Sequence, residues 1–597
     1  MKHRIKLMLF VCAAAALVVV ISIPQVHAVL KASLKLISPP AVFAASGNAG
    51  GPQGSPSAFL RNSSGIHASL AQNCTLYASA SGDDTYTGTT RWAPKTLFGG
   101  NPASPGADSA AGVAKPGDVV CLLGGRYELD QTFCPPNSST TWITYQALGD
   151  GDVDFVWTAG VTAAQANGTL TDVVSIGFLQ PMIRVGSGGY CGGSSKYLKF
   201  IGLNLDGGQN NALEGFFCYA SDHAQFIGNT VRNTAGSGIA GVGCDYLVSD
   251  HNLINHNGYL PAVCLPNPGS NPPSSPPADL QSVCGRASNS SGISYNNVTT
   301  PAGDTYQGLH NIISNNIIAG EVDQCEFWPA QLCPGATSSS SDFPTDGNGI
   351  ILDILKQGTA PALVVNNLVY GNGGRCIAVF NYTNFWVVNN TCQKNNLDTQ
   401  EPGLGSFSAM GTSSTGYSGT LNGYFVDNIS DVWSANNAIP YYYSDDPAIP
   451  STVVFNANLY NGRTDGACCN FSPQPAQNFI SGDRFLADPP FVHPTAPWQY
   501  AASRPPSAAT PTYSASTQCT GWIPICDISS AFAPGADHAY NAGTDPSSNT
   551  FTSGWPQVQA DMRNYIYGDI NGNARRVTEA GWDAGAILYS ARPSLNH

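Results

Sequence analysis

Charge is scarce in this sequence. Only 11% of its 597 residues are Asp, Glu, Lys or Arg, and the 25 basic residues are outnumbered by 39 acidic ones. So little charge argues against a coiled coil, a helical bundle or a charged disordered chain. A pI near 5.0 leaves no basic face for a nucleic-acid backbone. Apolar runs of spanning length are also missing beyond residue 23, so no membrane association is expected past the leader. There is no paired Cys-x-x-Cys and no His/Cys spacing of the zinc type, which disfavours a thiolate metal site.

What is present is Gly (64), Pro (42), abundant Asn and Ser, and 42% hydrophobic residues. Lys2, Arg4 and Lys6 precede an apolar run from Leu7 to Ile23 and a small-residue site at Val26-His27-Ala28. That layout predicts a signal peptide over 1–28 and a secreted, periplasmic or cell-surface protein. Residues 29–72 read as a flexible lead-in. Removing the leader with Cys12 leaves an even sixteen cysteines, which favours disulfides in an exported chain. Short-range candidates are Cys264 with Cys284, Cys325 with Cys333, and Cys519 with Cys526.

From residue 73 to 595 the pattern is short apolar runs rich in Val, Ile and Phe, separated by Asn and Gly, with little helical periodicity. The second Asn of Val364-Val365-Asn366-Asn367 recurs after 23 residues in Val387-Val388-Asn389-Asn390, and Asn229 recurs likewise at Asn252. The column continues at Asn316, Asn428 and Asn458. A period near 23 with two or three strands suits one coil of a parallel β-helix, whose inner face only its neighbours can bury. Asn suits the turn because it tolerates the left-handed region and bonds its equivalent about 4.8 Å away in the next coil.

The stretch Tyr77-Ala78-Ser79-Ala80-Ser81-Gly82-Asp83-Asp84, with Lys115-Pro116-Gly117-Asp118-Val119-Val120 and Gly124-Gly125-Arg126-Tyr127, resembles the opening of secreted right-handed parallel β-helix proteins of the pectate-lyase-like superfamily. Ala487-Asp488-Pro489-Pro490-Phe491-Val492 and Asp583-Ala584-Gly585-Ala586 resemble their close. The resemblance implies an all-β, single-stranded right-handed solenoid. It leaves activity open, because lyases, hydrolases, epimerases and non-catalytic surface proteins share the fold.

Two Cys-, Pro- and Ser-rich excursions, about Tyr259–Asp304 and Val322–Thr345, interrupt the coils and are placed to wall a groove. The second opens the densest acid cluster of the chain: Glu321, Asp323, Glu326, Asp342, Asp346 and Asp353. Asp323, Glu326 and Asp342 are candidate Ca²⁺ ligands. Aligning Gly349–Asp353 with Cys376–Phe380 faces Ile350, Leu352, Ile377 and Val379 inward and sets Asp353 beside Phe380 on the outer face. Asn348 registers with Arg375, near Asp346. Asp346-Gly347-Asn348-Gly349-Ile350 resembles the Gly-Asn-Gly-Phe-Lys motif of family 9 pectate lyases, whose Lys abstracts a proton while Ca²⁺ neutralises the uronate; here Ile351 holds the Lys position.

The expectation is a monomer that binds an extended, acidic polysaccharide and cleaves it, or binds it without cleavage. A hydrolase would use Asp346 and Asp353 as acid and base, their separation deciding inversion or retention. A lyase would use Arg375 or Lys356, the latter expected on the turn after the strand. Phe380, Asn348 and His310, which lies in the coil before the cluster, are the substrate-binding candidates.

Overall fold

From Ile143 onward each strand pairs in parallel with the strand three elements later, never with its chain neighbour. A chain that returns to the same sheet only after visiting two others is winding, and the result is three parallel sheets of 12, 11 and 9 strands. This is the expected parallel β-helix. The computed structural model describes residues 73–160, 177–189, 191–264, 284–287, 290–323, 346–397, 405–413, 419–432, 439–444, 451–461, 470–472, 479–481, 483–486, 543–570, 575, 582 and 584–586. The expected leader, the lead-in, Glu326, Asp342, Cys325, Cys333, Cys519 and Cys526 lie outside them.

Alternation drives the winding. In Ala362–Val365 of the first sheet Val364 points into the coil, while Leu363 and Val365 point outward. Inside, aromatic rings from successive coils lie over one another: Tyr145 on Phe200 at 5.6 Å, Phe200 on Phe226 at 6.1 Å, and Phe425 on Phe455 at 4.6 Å. Offset stacking adds to the burial that makes each coil depend on its neighbours.

The asparagine column is continuous. In Asn229, Asn252, Asn316, Asn367, Asn390, Asn428 and Asn458, each main-chain N–H and each side-chain amide donates to the Oδ1 of the next, and the ladder ends on Asp483. One expectation needs correcting: the left-handed conformation belongs to the preceding residue, at Gly228, His251, Asn315, Asn366, Asn389, Asp427 and Ala457. Turn geometry and ladder bonding are thus divided between two adjacent positions.

A second ladder, absent from the sequence reading, runs through Thr234, Asn257, Glu321, Asn372 and Asn395 at the corner between the second and third sheets. Glu321 stands where an amide would. Its Oε1 accepts from Asn257 Nδ2 at 3.2 Å, its Oε2 is buried without a partner, and burial pushes its pKa up to about 8. Its folded value therefore lies above the unfolded 4.5, so the stability it confers is complete below that pH and is lost as pH rises through 8. Glu321→Gln, neutral throughout, is expected to denature at higher urea than wild type at pH 9 and at nearly the same urea at pH 5. Equal midpoints at both pH values would contradict this.

Five disulfides occur among the described residues: Cys74–Cys121, Cys134–Cys191, Cys218–Cys244, Cys264–Cys284 and Cys376–Cys392. The third of these pairings and the Cys264–Cys284 bridge staple a coil and an excursion, and such usage fits an oxidising compartment. No helix among the described residues is long and apolar enough to cross a membrane.

The chain then turns back. Val558, Met562 and Ile566 of the helix Pro556–Ile566 cover Leu309, Ile312, Leu363, Val365 and Trp386 on the outside of the first sheet. The segment also binds the left-handed column: Asn366 Nδ2 donates to Tyr565 O and Gly568 O at 3.0 Å, and Thr544 N donates to Asp427 Oδ1 at 2.9 Å.

Candidate functional site on the third sheet

Both excursions leave the second sheet and enter the third in neighbouring coils, after Leu253–Asn255 and after Ile317–Ala319. The first proves shorter than expected, because the third-sheet strand Ile293–Thr299 lies within its predicted limits. Their roots are stitched together. Ser290 N donates to Asp323 Oδ2 at 2.8 Å, Ser290 Oγ to Val322 O at 2.9 Å, and Gly347 N to Ser290 O at 2.7 Å. Asp323 is fully buried in this joint. A calcium site takes roughly six to eight oxygens, and of its three expected carboxylates this one is bonded to backbone while the others lie outside the described residues.

The joint delivers the chain into Ile350–Gln357, which pairs with Ile377–Phe380 in the expected register, Asp353 opposite Phe380 and Ile351 opposite Ala378. The outward column through Asp353 reads Tyr219, Val242, Asn296, Asp353, Phe380 and Met410 in six successive coils. Tyr219 is 42% exposed and the other five are half-buried, so the column forms an open strip. At about 4.8 Å per coil it is roughly 24 Å long. The parallel column through Ser294, Ile351, Ala378 and Ser408 is buried, although it also faces out.

Asp346 and Arg375 stand at the leading corner of that buried column. Asn348 holds both: its Nδ2 donates to Asp346 Oδ1 at 3.0 Å and its Oδ1 accepts from Arg375 N at 2.9 Å. Arg375 Nε donates to Ser408 Oγ at 2.9 Å, so the guanidinium lies over the sheet. Burial pushes the Asp346 carboxyl above the usual range, opposed by the Arg375 charge and by the Asn348 bond. Burial, and then the charge of Asp346, push Asp353 up to about 7. Asp353 Oδ2 accepts from Asn296 Nδ2 at 2.6 Å, and Asn296 Oδ1 is buried with no partner. Two carboxyls with raised proton affinity, the charge of Asp346 acting on Asp353, thus stand on and beside a strip that carries two aromatic rings.

No protein family matches the sequence, and no curated protein matches it. Similar solved structures include pectate lyase Pel9A (13% identity over 78% of this chain and 96% of that one, TM-score 0.35). A glycoside hydrolase is similar at 9% identity over 69% of this chain and 96% of its own, TM-score 0.38. The Streptococcus pneumoniae surface adhesin PfbA is similar at 11% over 65% and 79%, TM-score 0.36. The likeness concerns the winding alone.

The remaining candidates fall elsewhere. Lys356 lies within the strand rather than on the turn after it; it is exposed, beyond the left-handed Ile354 that breaks the alternation. Ile351, at the position where a lyase lysine would stand, is packed away at 6% exposure. His310 does not belong to this strip. It leads into the first-sheet strand Asn311–Ser314 and is buried, Nδ1 against Asp245 Oδ2 at 2.8 Å. The sequence reading missed Asn296 and Tyr219; the alternation in Ile293-Ser294-Tyr295-Asn296 was the signal available for the first.

Proposed function

We propose that the protein binds an extended polysaccharide along the outward strip of the third sheet and hydrolyses it by general acid–base catalysis on Asp353 and Asp346. The observation that carries this reading is a pair of carboxyls with raised proton affinity, Asp353 on the half-exposed column that also carries Phe380 and Tyr219 and Asp346 at the neighbouring corner, close enough for its charge to act on Asp353. A sugar ring offers an apolar face to an aromatic side chain and hydroxyls to amides such as Asn296. Asp353 holds a proton near neutral pH and serves as the acid for the departing glycosidic oxygen. Asp346, steadied as the carboxylate by Arg375, serves as the base or nucleophile. The acid must be protonated and the base ionised, so kcat/KM falls as pH rises above about 7.

Incubation of the full chain with neutral and acidic polysaccharides tests this. New reducing ends without ultraviolet absorbance from an unsaturated uronate are expected on at least one of them. Unsaturated product would overturn hydrolysis in favour of β-elimination, and retention in affinity electrophoresis without either product would make the strip a binding surface only. Phe380→Ala is expected to raise KM about tenfold with little change in kcat, the loss of one ring contact of roughly 1 to 1.5 kcal/mol.

A further inference from the structure

A second polar centre lies on the first sheet, apart from the strip. Tyr197, His223 and Tyr246 occupy equivalent positions in successive coils, all left-handed, and their rings form a row, Tyr197 on His223 at 4.1 Å, His223 on Tyr246 at 4.3 Å and Tyr246 on His310 at 4.2 Å between centroids. His310 closes the row with both ring nitrogens engaged. Nδ1 meets Asp245 Oδ2 at 2.8 Å, both side chains fully buried, and Asp245 is fixed in turn by Asn311 Nδ2 and Tyr246 N through Oδ1. Nε2 faces oxygens only: Tyr306 O at 3.2 Å, Tyr246 Oη at 3.2 Å and Asp304 Oδ2 at 3.9 Å. The Tyr246 hydroxyl is already donated to Asp304 Oδ2, while Asp304 Oδ1 accepts from Tyr306 N.

A carbonyl and a carboxylate both aimed at a ring nitrogen repel its lone pair, so a positive centre belongs between them. No lysine or arginine pairs with Asp245 or Asp304 among the described residues. Either a proton on Nε2 or a metal ion fills that role. The donor set of one imidazole nitrogen, one carboxylate, one carbonyl and one phenol oxygen suits a zinc-class ion better than Ca²⁺ or Mg²⁺, which prefer all-oxygen shells. A buried carboxylate on the far nitrogen is the arrangement that orients a metal-binding imidazole. Asp304 is the partly exposed member, with 15% of its side chain open, which gives an ion a way in. Bonds of about 2.0 to 2.1 Å set tetrahedral ligands roughly 3.4 Å apart, so Asp304 needs to close by about half an ångström.

We propose that His310 Nε2, Asp304 Oδ2 and Tyr306 O form a binding site for a divalent transition-metal ion of the zinc class, with Tyr246 Oη beside it and Asp245 orienting the imidazole. The ion would clamp the segment between Thr300 and His310 to the first sheet. That segment also carries the returning C-terminal helix, since Asp561 Oδ2 accepts from Tyr306 Oη at 2.7 Å and from Leu309 N at 2.9 Å.

The full chain, stripped with a chelator and dialysed, is titrated with Zn²⁺ by calorimetry and with Co²⁺ by visible absorption. One equivalent of Zn²⁺ with a Kd in the micromolar range or tighter, and a rise in Tm on binding, are expected. Asp304→Asn, a near-isosteric change at the open edge, is expected to weaken Zn²⁺ at least tenfold while leaving the metal-free Tm within a few degrees. Asp245→Asn is expected to weaken it about 10- to 100-fold through the imidazole. Absence of binding at about 100 Kd of the expected affinity, or stoichiometric binding undiminished in Asp304→Asn, would overturn the site, the first by assigning the position to a proton and the second by placing the ion elsewhere.

Discussion

Asp353→Asn is expected to lower kcat on the hydrolysed polysaccharide by about 10²- to 10⁴-fold, the contribution of a placed general acid, with KM little changed. The substitution isolates the proton. An asparagine keeps an acceptor for Asn296 Nδ2, which donates to Asp353 Oδ2 at 2.6 Å, and keeps the side-chain volume between Asn296 and Phe380. Stability should hold or improve slightly, because a half-buried carboxyl that resists ionisation is replaced by a neutral group. Asp346→Asn is expected to cost as much, and the double variant little more than either alone, since the two act on one bond. It also carries a separate signature. Because the charge of Asp346 helps raise Asp353, the residual activity of Asp346→Asn should lose its acid at lower pH than wild type. An unshifted descending limb, or full activity in Asp353→Asn, would remove the acid from this position.

The register that puts Asp353 beside Phe380 was legible because strand alternation and a recurring corner are both written locally. Ile350 and Leu352 against Ile377 and Val379 fix which residues face out, and Asn348 against Arg375 fixes the corner. The asparagine ladder was legible for the same reason, since each rung repeats its predecessor. The second ladder was hidden because its members differ chemically: a Thr, a Glu and three Asn share one corner position, and only the winding reveals it. The helix Pro556–Ile566 and its docking on Leu363 and Trp386 repeat nothing, so no period announces them. His310, a substrate-binding candidate on sequence, lies on the first sheet instead, and its neighbour there was hidden because an excursion separates it from Tyr246 by 64 residues, although the two stack directly. The dipeptides Asp222-His223 and Asp245-Tyr246, which fall in register, were the readable trace of that row.

Asn367→Leu is expected to be the most damaging single change to stability, on the order of 4 kcal/mol, and the bonding around that amide says why. Oδ1 accepts from both Asn316 N and Asn316 Nδ2 at 2.9 Å, and Nδ2 donates to Ile313 O and to Asn390 Oδ1 at 2.9 Å. Leucine fits the space but strands two donors and one carbonyl in a water-free corner, at about 1 to 3 kcal/mol for each unsatisfied group. Asn390 Oδ1 keeps the Asn367 main-chain N–H, so the damage runs toward Asn316 and Ile313 rather than equally both ways. Asn367→Asp should lie between, because it retains the two acceptor bonds; the chain itself uses Asp483 as an acceptor at the ladder's end, where Tyr460 Oη supplies another partner. In an array stabilised by nearest-neighbour contacts, one broken rung also uncouples the coils on its two sides. Urea unfolding of Asn367→Leu should therefore show a lower midpoint and a broader transition than wild type, with Asn367→Asp intermediate. A loss below about 1 kcal/mol, within the range of an ordinary surface change, would mean that the inward aromatic stack and not the ladder ties the coils together.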